Sequence, residues 1–351
     1  MLALNQSLLS PDVARKWMLL GLAVAVLGVS FLALAIGGVD ISLERLVTIL
    51  FSSQTNSLEQ AVIWQIRLPR LVLALVVGAG LGACGAAMQA IFRNPLADPG
   101  LIGISSGAAL GAISTIVLGS TLLSDFSAYY GIYAVPIGAF LGCLAICSII
   151  YRLSSQGNRF TIVSLLLAGI AVNAIVGAVI GILTLISSDE QLRDLTFWSM
   201  GSLAGNSFMM MLPSLVLMLA CCIGFSRLAQ PLNLYLLGEQ QAKHLGVNVV
   251  SLKKQVFVFT ALCTGAAVAL TGIIGFVGFI VPHIVRLLIG PDHRYLLPAS
   301  MLGGAILLCL ADLMARTLIL PSELPIGLIT SALGGPFFLI MLLKTYRIKE
   351  L

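Results

Sequence analysis

Residues Gly103-Ile104-Ser105-Ser106-Gly107 follow the G-x-S-x-G spacing that can hold a serine nucleophile on a sharp turn. Such a serine needs a base, and the chain offers only His244, His283 and His293. The required strand–turn–helix context is absent, and Gly/Ser runs commonly open membrane helices. An intramembrane serine hydrolase is therefore the least favoured reading, and no residue is assigned a catalytic role. Asp312 is the main ionisable residue inside an apolar run, a place where such groups usually mark ion pathways. Arg316 lies one helical turn on, so the two can neutralise each other locally. One carboxylate with a local partner is thin machinery for an ion-coupled secondary transporter, the principal alternative. Nucleotide hydrolysis fares no better, because a P-loop needs G-x-x-x-x-G-K-[ST] and none of the six lysines follows a glycine. The seven cysteines (Cys84, Cys143, Cys147, Cys221, Cys222, Cys263 and Cys309) all fall in apolar runs. They show no CxxC or Cys/His ligand spacing, so neither a disulfide nor a metal site is expected.

The elements that carry these residues are long apolar runs. The chain has 351 residues, 59% hydrophobic and only 9% charged, where a soluble domain carries roughly 25% charged residues. The solvent for most of it is lipid. Net charge is +5, which in such a chain gives no reason to expect a nucleic-acid partner. Apolar runs fall at about 17–37, 69–91, 101–122, 132–151, 161–187, 208–229, 254–271, 275–290, 296–319 and 326–343. Residues 254–290 are nearly continuous, but one helix of that length would rise about 55 Å at 1.5 Å per residue. The hydrocarbon core is about 30 Å thick, so the Gly-rich TGIIGFVGF is predicted to break the run into two spans, the second short. Cation placement agrees. With ten spans and a cytoplasmic N-terminus, Arg15, Lys16, Arg93, Arg152, Arg159, Arg227, Lys243, Lys253, Lys254, Arg286, Arg294, Lys344, Arg347 and Lys349 lie inside. Arg45, Arg67, Arg70, Arg193 and Arg316 lie outside, a division of 14 to 5 among the 19 cations. A nine-span chain would give 10 to 9. The polar N-terminal dozen residues show no signal-peptide cleavage pattern, so the first span is expected to be retained. Both termini are expected in the cytoplasm.

The fold expected is an all-α integral membrane protein of about ten transmembrane helices, forming one permease domain over 1–351. Two inverted five-helix repeats, about 17–187 and 208–343, are suggested by a recurring pattern. GAGLGACG (Gly78 to Gly85) recurs as GAAVALTG (Gly265 to Gly272), and a proline lies ten residues beyond each, at Pro95 and Pro282. The two stretches lie on spans of opposite direction, as in transporters built from inverted repeats. Close packing through small residues explains the glycines alone.

Between two apolar runs stands LLGEQQAKHLGVNVVSLKK, residues 236–254. Gly238 precedes a short polar helix from Glu239 to Leu245, Gly246 is placed as its C-terminal stop, and Asn248 can cap the next element. If the chain serves a transport ATPase, a separate nucleotide-binding subunit is needed and must have a handle; an ordinary solvated loop is the alternative for this segment. Leu237, Gly238, Glu239, Gln240, Ala242, Lys243, His244, Leu245, Gly246 and Val247 are the expected coupling residues, within a cytoplasmic segment 236–251.

Four stretches then identify a resemblance: RLPRLVLALVVGAGLGACGAAMQAIFRNPLADPGLIGISSGAALGA (67–112), LLGEQQAKHLGVNV (236–249), GFVGFIVPHIVRLLIGPDHRYLLP (275–298) and ELPIGLITSALGGPFFLIMLLK (323–344). They are similar to the FecCD-type permeases, membrane subunits of bacterial ABC importers for ferric siderophores, haem and cobalamin. The resemblance runs from about residue 60 to the C-terminus. It implies a homodimer (or a pair of related permeases) in the inner membrane, two ATPase subunits below that use ATP and Mg, and a periplasmic binding protein above. It implies no cofactor bound by this chain. The segment matching Leu237–Val249 would be held by the ATPase. Arg67, Arg70 and Arg316 match positions that dock carboxylates of the binding protein, a role suited to bidentate guanidinium pairs. Headgroup anchoring is the alternative for these arginines, and Arg316 must choose between Asp312 and an outside partner. The external stretch LRDLTFWSMGSLAGNSF resembles haem-type members more than siderophore members, which ranks haem first, a ferric siderophore second and cobalamin third. The run Met209–Met211 is expected to pack or face lipid.

Overall fold

The computed structural model describes residues 11–38, 41–51, 58–156 and 159–349. The expectation for the extreme N-terminus falls partly on residues 1–10, outside the described residues. The chain is helical almost throughout. In order, the helices are α1 (Pro11–Ala35), α2 (Leu43–Phe51), α3 (Leu58–Ala61), α4 (Leu68–Phe92), α5 (Ile104–Leu118), α6 (Ser124–Tyr130), α7 (Ala134–Ser154), α8 (Ile162–Leu185), α9 (Asp189–Met200), α10 (Phe208–Arg227), α11 (Ala229–Leu236), α12 (Glu239–His244), α13 (Val249–Thr271), α14 (Val277–Ile289), α15 (His293–Thr317) and α16 (Ile326–Lys349). A π-helical turn, Val62–Arg67, joins α3 to α4, and a 3-10 turn, Pro99–Ile102, precedes α5. A minimal strand pair, Ser155–Gln156 with Arg159–Phe160, closes the connection from α7 to α8.

Eight helices among the described residues are long and apolar enough to cross a bilayer, and two shorter apolar ones, α5 and α14, lie where the third and eighth spans were expected. All ten predicted runs thus coincide with helices. Local chemistry sets their starts. Thr161, Ser207, Asn248 and Asp292 each accept a backbone N–H at a helix N-terminus, satisfying donors that have no intrahelical partner. Ser188 and Gln191 form a full capping box on α9.

The predicted break in 254–290 is present. Gly272 leaves α13 at φ +66°, and a Cβ there would collide with the Trp198 carbonyl. Phe276 enters α14 at φ +66°, an uncommon conformation for a bulky residue. With 13 residues, α14 rises only about 20 Å, short of the roughly 30 Å hydrocarbon core, so the break falls within the apolar part of the chain. Non-helical backbone at such depth must be sheltered by protein. Here the chain after α9 shelters it: Ser202 N–H donates to Thr271 O at 2.7 Å, and Ile326 N–H to Gly201 O at 3.1 Å.

At the centre stands α4, whose most apolar window is 78% buried, against 17% for α1. The glycine-rich stretch makes this possible. A Cβ on Gly78 would overlap the Gly304 carbonyl of α15, and one on Gly85 the Gly278 carbonyl of α14. Pro282 removes the N–H that would otherwise bond Gly278 O, so the carbonyl that Gly85 makes room for is one the helix leaves open. The two copies of the repeat pattern correspond only in part. Gly78 joins the second span to the ninth, and Gly265 meets Cys143, joining the seventh to the fourth; these pairs are related by a shift of five spans. Gly85 and Gly272 have unrelated surroundings. Pro95 is exposed in a turn after α4, whereas Pro282 is buried inside α14. The matched proline spacing is therefore not a structural equivalence, because the helix holding Gly85 ends at Phe92, before its proline, whereas Pro282 sits within a helix of its own.

Candidate functional site

The polar segment expected in the cytoplasm folds as α12 and the start of α13, with a glycine or asparagine at each boundary. Gly238, at φ +135°, opens α12, and Gly246, at φ +85°, closes it. Val247 N–H donates to Ala242 O at 2.9 Å and Gly246 N–H to Lys243 O at 3.0 Å, the two bonds of a Schellman stop. Asn248 Oδ1 then accepts Ser251 N–H at 3.0 Å and starts α13. Ala242 is fully buried and seats the helix, while Gln240, Lys243, His244 and Leu245 face outward. Leu237 and Leu245 are 62% and 56% exposed. Two apolar side chains at the ends of a polar helix make a surface that is adhesive as well as charged. Beside it runs a groove of about 370 Å³, lined by Leu234, Leu245, Val247, Asn248 and Leu252 among others.

Electrostatics fasten this segment to α13. Glu239 accepts from Lys253 at 2.8 Å and lies 3.4 Å from Lys243. The bond from Lys253 holds the Glu239 carboxyl below the usual carboxylate range. Lys253 itself is buried, with its ammonium near the Tyr235 ring. The Arg93 guanidinium covers the same ring at 4.7 Å and donates to Tyr235 O at 2.6 Å. A second tie runs from α11 to the start of α15. Asn233 donates to Asp292 at 2.7 Å and accepts the His293 backbone N–H at 2.8 Å. Asp292 is held well below its ordinary range, chiefly by Arg294. A third tie, Arg286 to Gln89 at 2.8 Å with Gln89 donating to Phe279 O at 3.2 Å, joins α14 to α4.

At the outer end the arginines depart from expectation. Arg67, Arg70 and Arg316 are only 5%, 7% and 7% exposed, and each is engaged by the chain itself. Arg67 donates to Leu34 O at 2.6 Å and Ala35 O at 2.9 Å, and Arg316 donates to Ala33 O. Both thereby satisfy carbonyls that the last turn of α1 leaves open. Arg70 donates to Asp312 at 2.7 Å and Glu323 at 2.8 Å. The docking role expected for all three stays a proposal, while Arg67 and Arg316 join the end of α1 and Arg70 joins α4 to α15. The physical reason is that an unpaired guanidinium at this depth would be left desolvated. Arg316 does lie near Asp312, at 3.6 Å, but Arg70 is the closer partner. Glu323 is the half-exposed member of this group, its side chain 47% accessible.

Among the described residues, Ser106 of the serine pattern bonds its own turn and α8. Ser106 Oγ is 2.5 Å from Asn173 Oδ1 and 3.0 Å from Gly103 O, and a 3-10 turn rather than a strand leads into α5. The methionine run divides, with Met209 81% exposed and Met211 buried. The cysteines are all buried thiols. Sequence reasoning missed Asn233, Asp292, Gln89 and Glu323. Of these, Asp292 carries one legible signal, since Pro291-Asp292 before a helical run reads as an N-cap. The long-range pairings carry none.

Residues 24–344 match the FecCD transport family. The chain is 48% identical over 297 residues to the hemin transport system permease protein HmuU of Yersinia pestis, covering 84% of this chain and 87% of that one. It is 40% identical over 286 residues to the cobalamin import system permease protein BtuC of Halobacterium salinarum, covering 81% and 73%. Identity to the vitamin B12 import system permease protein BtuC of Salmonella typhimurium is 41% over 289 residues, covering 81% and 84%. A solved inward-facing conformation of a metal-chelate type ABC transporter superposes with a TM-score of 0.82 at 33% identity, covering 94% of this chain and 99% of that one.

Proposed function

The chain belongs to the FecCD transport family, and from that premise we propose that it is the permease subunit of an ATP-driven ABC importer. Its cargo is an iron compound, haem first and a ferric siderophore second, carried from periplasm to cytoplasm by alternating access. The observation that carries this reading is the capped helix α12, which offers exposed leucines and polar groups on the cytoplasmic face of a chain with no P-loop. Two ATPase subunits grip this surface and supply ATP hydrolysis with Mg. Their closure moves α12, and the Glu239–Lys253 bond passes that motion into α13. Two copies of the permease, each read as two inverted five-helix repeats, rock about a central path in the bacterial inner membrane, with both termini cytoplasmic. A periplasmic binding protein delivers the cargo, and its carboxylate reaches Arg70 by taking the place of Glu323. The relative named for hemin transport is more similar than those named for cobalamin or vitamin B12, which supports haem over cobalamin.

The test is co-reconstitution in vesicles with candidate ATPase and binding-protein partners. Haem-loaded binding protein is expected to stimulate ATP hydrolysis and uptake more than its ferric-siderophore counterpart. Uptake by the permease alone, driven by a proton or sodium gradient without nucleotide, would overturn the reading in favour of an ion-coupled carrier.

A further inference from the structure

The fourth and seventh spans, α7 and α13, pack tightly around Gly265. A Cβ on Gly265 would come within 2.8 Å of Cys143 Sγ, and Cys143 Sγ lies 3.6 Å from Ala261 O. Two grooves flank this contact. The outer one, about 340 Å³, is lined by Tyr133, Pro136, Phe140, Met210 and Leu270 among others, and has no cation. The inner one, about 320 Å³, has the same apolar character along Cys147, Tyr151, Phe257 and Ala261, but Arg152 and Lys254 stand in its wall. Both volumes fall within the roughly 300–1,000 Å³ of small-molecule sites. Leu141, Ile149, Leu153 and Val258 are exposed on the same two helices, so this side of the bundle faces lipid.

The two cations are unspent. Lys253 is neutralised by Glu239 at 2.8 Å, yet its neighbour Lys254 is exposed and, with Arg152, forms no ion pair among the described residues. The helix field favours Arg152, in the last turn of α7, but not Lys254, which lies in the first turns of α13, where the dipole favours anions. Tyr151 and Phe257, with ring centroids 5.7 Å apart, form an aromatic floor. Paired cations at the cytoplasmic mouth of an apolar groove between helices match a phosphate headgroup with an acyl chain behind it.

We propose that the inner groove between α7 and α13 binds an anionic phospholipid of the cytoplasmic leaflet. Its phosphate sits between Arg152 and Lys254, and one acyl chain lies along Tyr151, Phe257 and Ala261. Two uncompensated cations repel the ammonium of a zwitterionic headgroup, which sets the preference. The inference goes beyond the transport reading and needs only the orientation that puts Arg152 and Lys254 in the cytoplasm.

The experiment is native mass spectrometry of the full chain released from vesicles holding phosphatidylglycerol and phosphatidylcholine in equal amounts. The wild type is expected to retain phosphatidylglycerol in several-fold excess. Arg152→Gln with Lys254→Gln is expected to lose that excess, and Arg227→Gln, which removes another cytoplasmic cation at the end of α10, to keep it. Ser148→Trp, which fills the groove with both cations intact, is expected to lose it too. An unchanged excess in the double variant overturns the proposal. Equal loss in Arg227→Gln also overturns it, in favour of diffuse surface charge, and full retention in Ser148→Trp removes the groove from it. Because these side chains are exposed, melting temperature in phosphatidylcholine alone is expected to stay at the wild-type value, which separates lost binding from lost folding.

Discussion

The outer arginine cluster and the inner α12 segment are both polar interruptions in an apolar chain, yet they are built in opposite ways. At the outer end, Arg67, Arg70, Arg316 and Asp312 are buried and consume one another and the carbonyls of α1. At the inner end, α12 is anchored by one buried alanine and one carboxylate, and turns the rest of its surface outward. A buried charge must be fully paired, so its removal is felt as stability. An exposed polar helix contributes little to stability and is free to be gripped. Charge at one end of such a bundle does not by itself mark a docking surface; burial decides which kind it is.

Asp312→Ala separates the two regions most sharply. It leaves Arg70 and Arg316 buried with less compensation and is expected to cost about 3–5 kcal/mol. The readout is a large fall in melting temperature in detergent; a fall of only a degree or two would mean that water reaches the cluster. Next, Leu237→Asp with Leu245→Asp is expected to weaken ATPase association about a hundredfold, since each leucine contributes roughly 1.5–3 kcal/mol when fully buried. Melting temperature of the permease alone should not change. If assembly survives while the permease unfolds, the inner face is structural and the contrast collapses.

A smaller effect comes from pH. Lys253 holds the Glu239 carboxyl below its ordinary range. The bond is therefore fully present above the unfolded value of about 4.3 and is lost as pH falls through the lower folded value. Glu239 is partly exposed, so the contribution is about 1 kcal/mol or less. Amide exchange over 239–248 should differ between the wild type and Glu239→Gln at pH 7 by a constant amount that persists to about pH 4.3 and then closes. A difference that widens with acid would reverse the sign and remove the pairing. Smallest is Glu323→Gln, expected to change stability by at most about 1 kcal/mol at this half-exposed site. If Arg70 receives a binding-protein carboxylate, the same variant should raise docking affinity, read as a lower Kd by titration; unchanged affinity would leave Arg70 a purely internal joint.

The bilayer made much of the fold legible. Its thickness forces apolar runs of a set length, so the ten helices, and even the break at 272–276, could be placed by arithmetic on one dimension. The α12 segment was legible from short-range geometry, because Gly238, Gly246 and Asn248 act on the backbone within a few residues. The matched prolines misled because spacing along a chain records no environment: Pro95 is solvent-facing and Pro282 is packed.

The sequence alone determined the ten apolar helices and the exposed, glycine-bounded segment at α12, since these derive from the transfer of apolar residues into lipid and from local backbone geometry. Only the tertiary structure decided that Arg70 of α4 reaches Asp312 of α15 across 242 positions of chain, that Gly85 seats the Gly278 carbonyl, and that the outer arginines point inward. Those choices depend on which helix faces which. In a medium as apolar as the helices themselves, close packing and the need to pair every buried charge make that selection.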